Sequence, residues 1–252
     1  MAGRPALRAR RPGQHFLRSR ELVRSLIDDA GVRAGDLVVD VGAGRGALTA
    51  ELVASGAEVW AVEADPGLAE VLRQRFGGRV LVVEADARRL RWPERPFAVV
   101  ANLPFAGAGA ILEPLLGDSA VPLRRAELVL QWEAAVKRAA VWPSTARSVV
   151  WGSLYELGVA RRIAPAAFAP PPSVDAGVLR AVRRDEPLVH DAAAYRAFVR
   201  RAFDARLPLR KLFPPRTVKR LAVELGFSPD ALPRDLDARQ WALVFRAVRP
   251  LR

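Results

Sequence analysis

The sequence predicts an α/β fold: a Rossmann-like, largely parallel sheet with a smaller helical domain at its C-terminal end. Three observations predict it. Short β-branched runs alternate with helical patterns of about ten residues, the signature of βαβ units. The first such run ends in a glycine-rich turn, Val39-Asp40-Val41-Gly42-Ala43-Gly44-Arg45-Gly46. From Pro187 onward the strand patterns stop and a basic, helical pattern takes over.

The elements follow in order. Residues 1–13 carry Arg4, Arg8, Arg10 and Arg11 without an acid, among Pro5, Pro12 and Gly13, and read as a disordered basic arm. Over 19–30, Leu22, Val23, Leu26, Ile27 and Ala30 have helical spacing behind Ser19, a good N-cap. Strands are expected at 37–44, 58–65, 79–86 and 97–105, and helices at 47–56, 66–77 and 108–117. The stretch 125–140 starts as a strand and ends as a helix, and 167–184 is a Pro-rich turn followed by a strand. The expected domains are thus the arm over 1–13, a catalytic domain over 14–186 and a helical basic domain over 187–252.

Composition narrows the function. The chain has 252 residues, 51% of them apolar and 27% charged, which suits a packed globular protein. It has no cysteine, and only His15 and His190 could supply imidazole, so thiolate chemistry and a multi-histidine metal centre are excluded. No run is long enough for a membrane span and nothing resembles a secretory signal, so a cytoplasmic protein is expected. The net charge is +13. Only Lys137, Lys211 and Lys219 among the 40 basic residues are lysine, which suggests genomic bias toward Arg; such bias does not explain the excess over acids. A polyanion, most commonly nucleic acid, is the partner such a charge suits. Arg196, Arg200, Arg201, Arg206, Arg210, Lys211, Arg216, Lys219 and Arg220 crowd 196–220 against the single acid Asp204.

The glycine turn permits a sharp bend and close approach of a ligand to backbone. The crevice at the carboxyl ends of such strands is where cofactors bind. Glu63 ends the next strand, where a carboxylate can accept both hydroxyls of a ribose, and Asp86 ends the one after, where it can accept an exocyclic amine of adenine. The loop also fits a dinucleotide or a ligand-free turn; Asp40 and the crowded glycines favour S-adenosylmethionine, which has no phosphate.

Asn102-Leu103-Pro104-Phe105 is more specific. Proline restricts the residue before it, fixing the direction of the Asn102 and Leu103 carbonyls. An Asn side-chain oxygen and a backbone carbonyl can together accept from an amino group on a planar base, and Phe105 offers a ring face for stacking. Orientation and electrostatics then favour attack of a weakly nucleophilic amine on a methyl group.

With these motifs in view the chain resembles the Erm-type rRNA adenine N6-methyltransferases, a branch of the superfamily that also holds the KsgA-type dimethyladenosine transferases. Gly13-Gln14-His15-Phe16-Leu17 is similar to the family's opening G-Q-N-F-L, and the glycine turn to its donor loop. Asn102–Phe105 matches its catalytic loop, Phe168-Ala169-Pro170-Pro171-Pro172-Ser173-Val174-Asp175 its F-x-P-x-P-x-V-[DN] segment, and Gln240-Trp241 through Phe245 its C-terminal helix. The resemblance implies a class I methyltransferase sheet and S-adenosyl-L-methionine as cofactor. It implies donor contacts from Gln14, His15, Phe16, Leu17, Asp40, Gly42, Gly44, Gly46, Glu63, Ala64, Asp86, Ala87 and Asn102. Catalysis falls to Asn102, Leu103, Pro104 and Phe105, with Phe168 against the flipped adenine. Arg4, Arg8, Arg10, Arg11, Arg200, Arg201, Arg210 and Lys211 are the expected RNA contacts. The implied activity is N6-methylation, with one methyl or two, of one adenine in the peptidyl-transferase loop of 23S rRNA, giving macrolide-type resistance, by a monomer needing neither metal nor membrane. The sequence departs from the family at His15, where Asn is usual, and at Ala106–Gly109, which lacks the common Ser-Thr. KsgA-type dimethylation of 16S rRNA shares most of these motifs; Leu130-Gln131-Trp132-Glu133 stands where that relative has F-Q-K-E. A nicotinamide-dependent oxidoreductase would explain the glycine turn and Glu63 but not residues 102–105, and a non-catalytic RNA-binding protein would explain only the charge.

Overall fold

The computed structural model describes residues 15–248. The arm expected over 1–13 and Gln14 lie outside them.

Ser19 caps the first helix as its position predicts, accepting from the Leu22 N–H at 3.1 Å, and α1 runs Arg20–Asp29. The βαβ alternation follows: β2 (Leu37–Val41), α2 (Ala47–Ala54), β3 (Glu58–Glu63), α3 (Pro66–Phe76), β4 (Val80–Glu84), β5 (Phe97–Asn102), α4 (Ala108–Leu116) and β6 (Leu123–Gln131). Asp65 caps α3 by accepting from Gly67 and Leu68, with Pro66 at the first helical position. The strand expected over 97–105 stops at Asn102, although the Leu103 N–H still reaches Val129 O at 3.1 Å. Pro104 brings no N–H and ends the ladder.

A seven-stranded sheet results, in the order β4-β3-β2-β5-β6-β9-β7, where β7 is Tyr155–Ile163 and β9 is Ala176–Arg183. The first five strands are parallel, and β9 enters antiparallel between β6 and β7. Every residue of β2 is buried, which explains its unbroken apolar run. The chain winds from β2 outward to β4, then returns across β2 to β5. The carboxyl ends of β2 and β5 therefore flank the point where strand order reverses.

Two features extend the sequence reading. α5 (Trp132–Ala139) and α6 (Ala146–Gly152) lead into β7, a strand with Gly158 and a register shift between Val159 and Arg161. A second, two-stranded sheet pairs β1 (Phe16–Leu17) with β8 (Phe168–Ala169), antiparallel, Phe16 opposite Ala169 and Leu17 opposite Phe168.

After β9 come α7 (Ala192–Ala205), α8 (Leu209–Leu212), α9 (Pro215–Leu225) and α10 (Ala238–Val248). They carry their own aromatic centre: Phe198 contacts Phe213, Trp241 and Phe245, and the buried Trp241 donates Nε1–H to Pro233 O at 3.0 Å. Yet one hydrophobic cluster continues from Val39, Val99 and Leu128 of the sheet through Trp151 and Leu154 to Tyr195, Trp241 and Phe245. A second cluster fills the other face under α1, α2 and α3. The helical segment shares the core of the sheet.

Candidate active site

A cleft of about 320 Å³ opens at the carboxyl ends of four adjacent parallel strands. β2 contributes Val41, Gly42 and Gly44, β3 contributes Val62, Glu63 and Ala64, and Ala85, Asp86 and Ala87 follow β4. β5 brings Asn102, Leu103 and Pro104, followed by Ala106 and Gly107, and His15 and Phe16 close one side. The site thus gathers residues from five separate stretches of chain because a reversal in strand order leaves a gap there that no helix fills.

The glycine turn is built for close contact. Gly44 has φ +57°, and a Cβ on it would come within 2.8 Å of the Phe16 ring. The Gly44 N–H donates to Glu63 Oε2 at 2.8 Å, and the Asp65 N–H donates to Glu63 Oε1 at 2.9 Å. Both oxygens of this buried carboxylate are thereby fixed, each keeping lone-pair capacity toward the cleft.

Asp40, one strand position behind Val41, is buried to 1% exposure. Thr49 Oγ1 donates to its Oδ2 at 2.6 Å, while Oδ1 has no partner. Burial, reinforced by the charge of Glu63, pushes its carboxyl up to about 7 despite the Thr49 bonds. Asp86 is the opposite case. Hydrogen bonds from the Arg88 side chain and N–H hold it down to about 2. Arg88, itself on the cleft wall, covers both Asp86 oxygens, an engagement the sequence reading missed.

Asn102 ends β5 with its side chain oriented by one strong contact: Nδ2–H donates to His15 O at 2.6 Å. That leaves Oδ1, which is buried and has no hydrogen-bond partner. An unpaired buried acceptor is costly, so it marks a place where a donor is expected to arrive.

The loop beyond is braced by rings. Phe105 lies 5.1 Å from the His15 ring and 6.1 Å, edge-on, from Phe168. His15 Nδ1 is also 2.8 Å from Pro170 O. The β1–β8 pair brings the N-terminal segment and the Pro-rich segment together beside residues 102–105. Phe168, expected as a platform for a base, is fully buried, and Phe105 is the partly exposed ring of the two.

The remaining expected donor contacts sit beneath the cleft. Leu17 belongs to the core, and Gly46 caps α2 with φ +79°, against Phe76 and Leu72. Of the expected RNA contacts, Arg200, Arg201 and Lys211 are exposed, and Arg210 is paired with Asp230. The structure also assembles a basic groove that no single stretch of sequence displays. Lys137 and Arg138 of α5, Arg147 of α6, and Arg196 and Arg200 of α7 line one cavity with two acids, Glu113 and Asp204. Arg147 pairs with Glu113; Arg138 lies over the Trp151 ring and 3.5 Å from where a Cβ on Gly109 would stand. The groove therefore begins beside the first turn of α4, the helix that follows Asn102–Phe105. Among the described residues there is no cluster of His, Cys, Asp and Glu fit to hold a metal, and no helix long and apolar enough to cross a membrane.

Residues 8–224 match the family model of ribosomal RNA adenine dimethylase. The chain is 34% identical over 244 residues to the mycinamicin-resistance protein MyrB of Micromonospora griseorubida, covering 94% of this chain and 78% of that protein. It is 35% identical over 272 residues to ribosomal RNA small subunit methyltransferase A of Anaeromyxobacter dehalogenans, covering 96% and 94%. Among solved structures it is similar to the 23S rRNA methyltransferase ErmE, with a TM-score of 0.81 and 28% identity over 92% of this chain and 99% of that one.

Proposed function

The chain belongs to the ribosomal RNA adenine dimethylase family as an Erm-type, S-adenosylmethionine-dependent adenine N6-methyltransferase, and from that premise we propose that it methylates one adenine in the peptidyl-transferase loop of 23S rRNA, conferring macrolide-type resistance. The observation that carries the reading is the unpartnered Asn102 Oδ1 at the edge of the four-strand cleft.

The cleft residues fit the donor. Glu63 is a fixed, buried carboxylate with lone pairs to spare for a ribose diol, and Gly42 and Gly44 leave the backbone bare. His15, Phe16, Glu63, Ala64, Asp86, Ala87 and Asn102 would line it; Leu17, Asp40 and Gly46 shape the floor from below. Gln14 joins them on resemblance alone. When bound, S-adenosylmethionine supplies an electrophilic methyl group on a sulfonium.

The protein's own contribution is placement. Asn102 Oδ1 and the adjoining Leu103 carbonyl accept from the adenine amine, drawing its hydrogens into a fixed plane and raising electron density on nitrogen. His15 O occupies the Asn102 NH2, which leaves the oxygen, not the NH2, free for the substrate. Phe105 stacks on the base, with Phe168 bracing it from behind. Once the amine is methylated its surplus proton passes to solvent. A base inside a duplex cannot reach this position, so the target is extruded or unpaired.

RNA outside the cleft meets the basic groove of Lys137, Arg138, Arg147, Arg196 and Arg200, and the outer cations Arg201 and Lys211, while Arg210 is occupied by Asp230. Residues 14–186 form the donor-binding part and one wall of the RNA groove, and 187–252 supply the other wall, with Arg4, Arg8, Arg10 and Arg11 of the arm as further contacts; the working unit is a monomer.

KsgA-type methylation of 16S rRNA is the competing reading, favoured by the 35% identity to a small-subunit enzyme. Expression in a macrolide-sensitive strain, with primer extension across 23S rRNA, separates the two. A stop within the peptidyl-transferase loop together with resistance is expected. Label transfer to an assembling 30S particle, with none to naked 23S rRNA, would overturn the assignment.

A further inference from the structure

Another cavity, of about 390 Å³, is lined by Ser173, Val174 and Asp175 of the Pro-rich segment together with Trp132 and Arg162. Its floor is a layered stack. Gly177 of β9 stands opposite Arg162 of β7, and a Cβ on Gly177 would sit 3.1 Å from Trp132 Cε3. The missing side chain lets the indole lie down over the sheet, next to Arg162. The Arg162 guanidinium covers it, 4.8 Å from the ring centroid. Asp175 anchors that guanidinium through Nε at 2.6 Å, and its carbonyl accepts from the Trp132 N–H at 2.9 Å. Arg162 nevertheless remains 59% exposed. The plane is held by one edge and backed by an aromatic ring, with the rest open to the cavity.

The charge balance decides what this surface takes. Arg162 is already paired with Asp175, and Glu133 lines the same cavity, so a phosphate gains little there. A flat, uncharged ring gains stacking on the guanidinium, and Gln131 and Ser173 at the rim can hydrogen-bond its edge. The position is near the chemistry. Val129 pairs with Asn102 across β5–β6, and Trp132 is three residues further along, about 10 Å at the rise of a strand. Residues 169–175 join Phe168, beside Phe105, directly to Asp175.

We propose that Trp132, Arg162 and Asp175 form a stacking subsite for a second unpaired nucleobase, one flanking the methylated adenine. This rests on the reading that the enzyme acts on an extruded rRNA adenine. The subsite fixes which neighbour accompanies the target and so contributes to choice of substrate rather than to the methyl transfer itself. Trp132 and Arg162 are specificity residues, not catalytic ones.

The test uses the full chain and transcripts of the 23S peptidyl-transferase loop and of 16S rRNA, with each flanking nucleotide near the target made abasic in turn. Arg162→Lys keeps the charge and the Asp175 partner but loses the plane. On whichever transcript the wild type methylates, R162K is expected to raise the KM for RNA roughly ten-fold, the size of one stacked base, with kcat little changed. One abasic position should raise the wild-type KM equally and leave R162K no worse. Arg162→Gln and Trp132→Ala should behave alike, each checked for folding by its thermal melt; if W132A does not fold, the two Arg162 variants decide. Folded R162K and R162Q with unchanged KM would overturn the subsite, as would losses that multiply at every abasic position. Wild-type protein that methylates neither transcript nor an assembling 30S particle would instead remove the underlying reading, and the subsite with it.

Discussion

At the scale of single residues, Asn102 and Asp40 show how a buried polar atom announces its task. Asn102 spends its NH2 on His15 and keeps a desolvated oxygen free. Asn102→Ala should lower methyl transfer by at least about 10²-fold, the usual cost of a positioned electrostatic partner, and Phe105→Ala should do likewise by removing the stacked face. Donor affinity, measured by calorimetry, should change little in either; equal loss of donor binding would mean that residues 102–105 are a structural turn. Asp40 carries a raised pKa of about 7 because it is buried beside Glu63. In the unfolded chain the same carboxyl ionises near the ordinary aspartate value of 3.8. The native state therefore binds the extra proton between those values, and the stability this confers is full below about 4 and is lost as pH rises through about 7. Asp40→Asn keeps an acceptor for Thr49 without the ionisation. Its melting temperature relative to wild type should climb between pH 4 and 7 and then level off. A pH-independent difference would show that Asp40 does not titrate in that window.

At the scale of elements, what could be read in advance was whatever lies contiguous in the chain. The glycine turn, Glu63, Asp86 and Asn102–Phe105 each sit at the end of one strand, and a parallel sheet lines up its strand ends automatically. Pairings between distant segments were not readable. Phe16–Leu17 and Phe168–Ala169 are each two residues long, too short to show a period, and only the fold makes them neighbours. β7 escaped because Gly158 and the irregular register around Arg161 break its alternation. Arg88 escaped because nothing local shows that it turns back onto Asp86. The α2 start illustrates how tightly the turn is fitted. Gly46 has φ +79°, and a Cβ there would meet Phe76 Cε2 at 2.6 Å. Gly46→Ala combines left-handed strain with a core clash and should destabilise by about 2–4 kcal/mol, seen as a lower denaturant midpoint at unchanged slope. An unchanged midpoint would mean that the turn relaxes freely and cannot be the rigid edge of the cleft.

At the scale of the whole molecule, the shared core and the charge work together. Because the cluster under β5 and β6 runs on into Tyr195, Trp241 and Phe245, the C-terminal helices are held at a fixed place relative to Asn102. A chain ending at residue 186 would expose Trp151 and Leu154 and should lose its cooperative melt. The same rigidity lets Arg196 and Arg200 of α7 face Lys137 and Arg138 of α5 across one groove, converting a net charge of +13 into a directed path. Lys137, Arg196 and Arg200 form no ion pair among the described residues, whereas Arg210 is neutralised by Asp230. Each phosphate neutralised on a single strand contributes about 0.7 to the slope of log K against log salt. The variant Lys137→Gln, Arg196→Gln, Arg200→Gln should therefore flatten that slope by roughly 2 for the rRNA transcript, while R210Q alone leaves it nearly unaltered. Equal slopes for the triple variant and wild type would place the RNA backbone on another face, and with it the route by which the target adenine reaches residues 102–105.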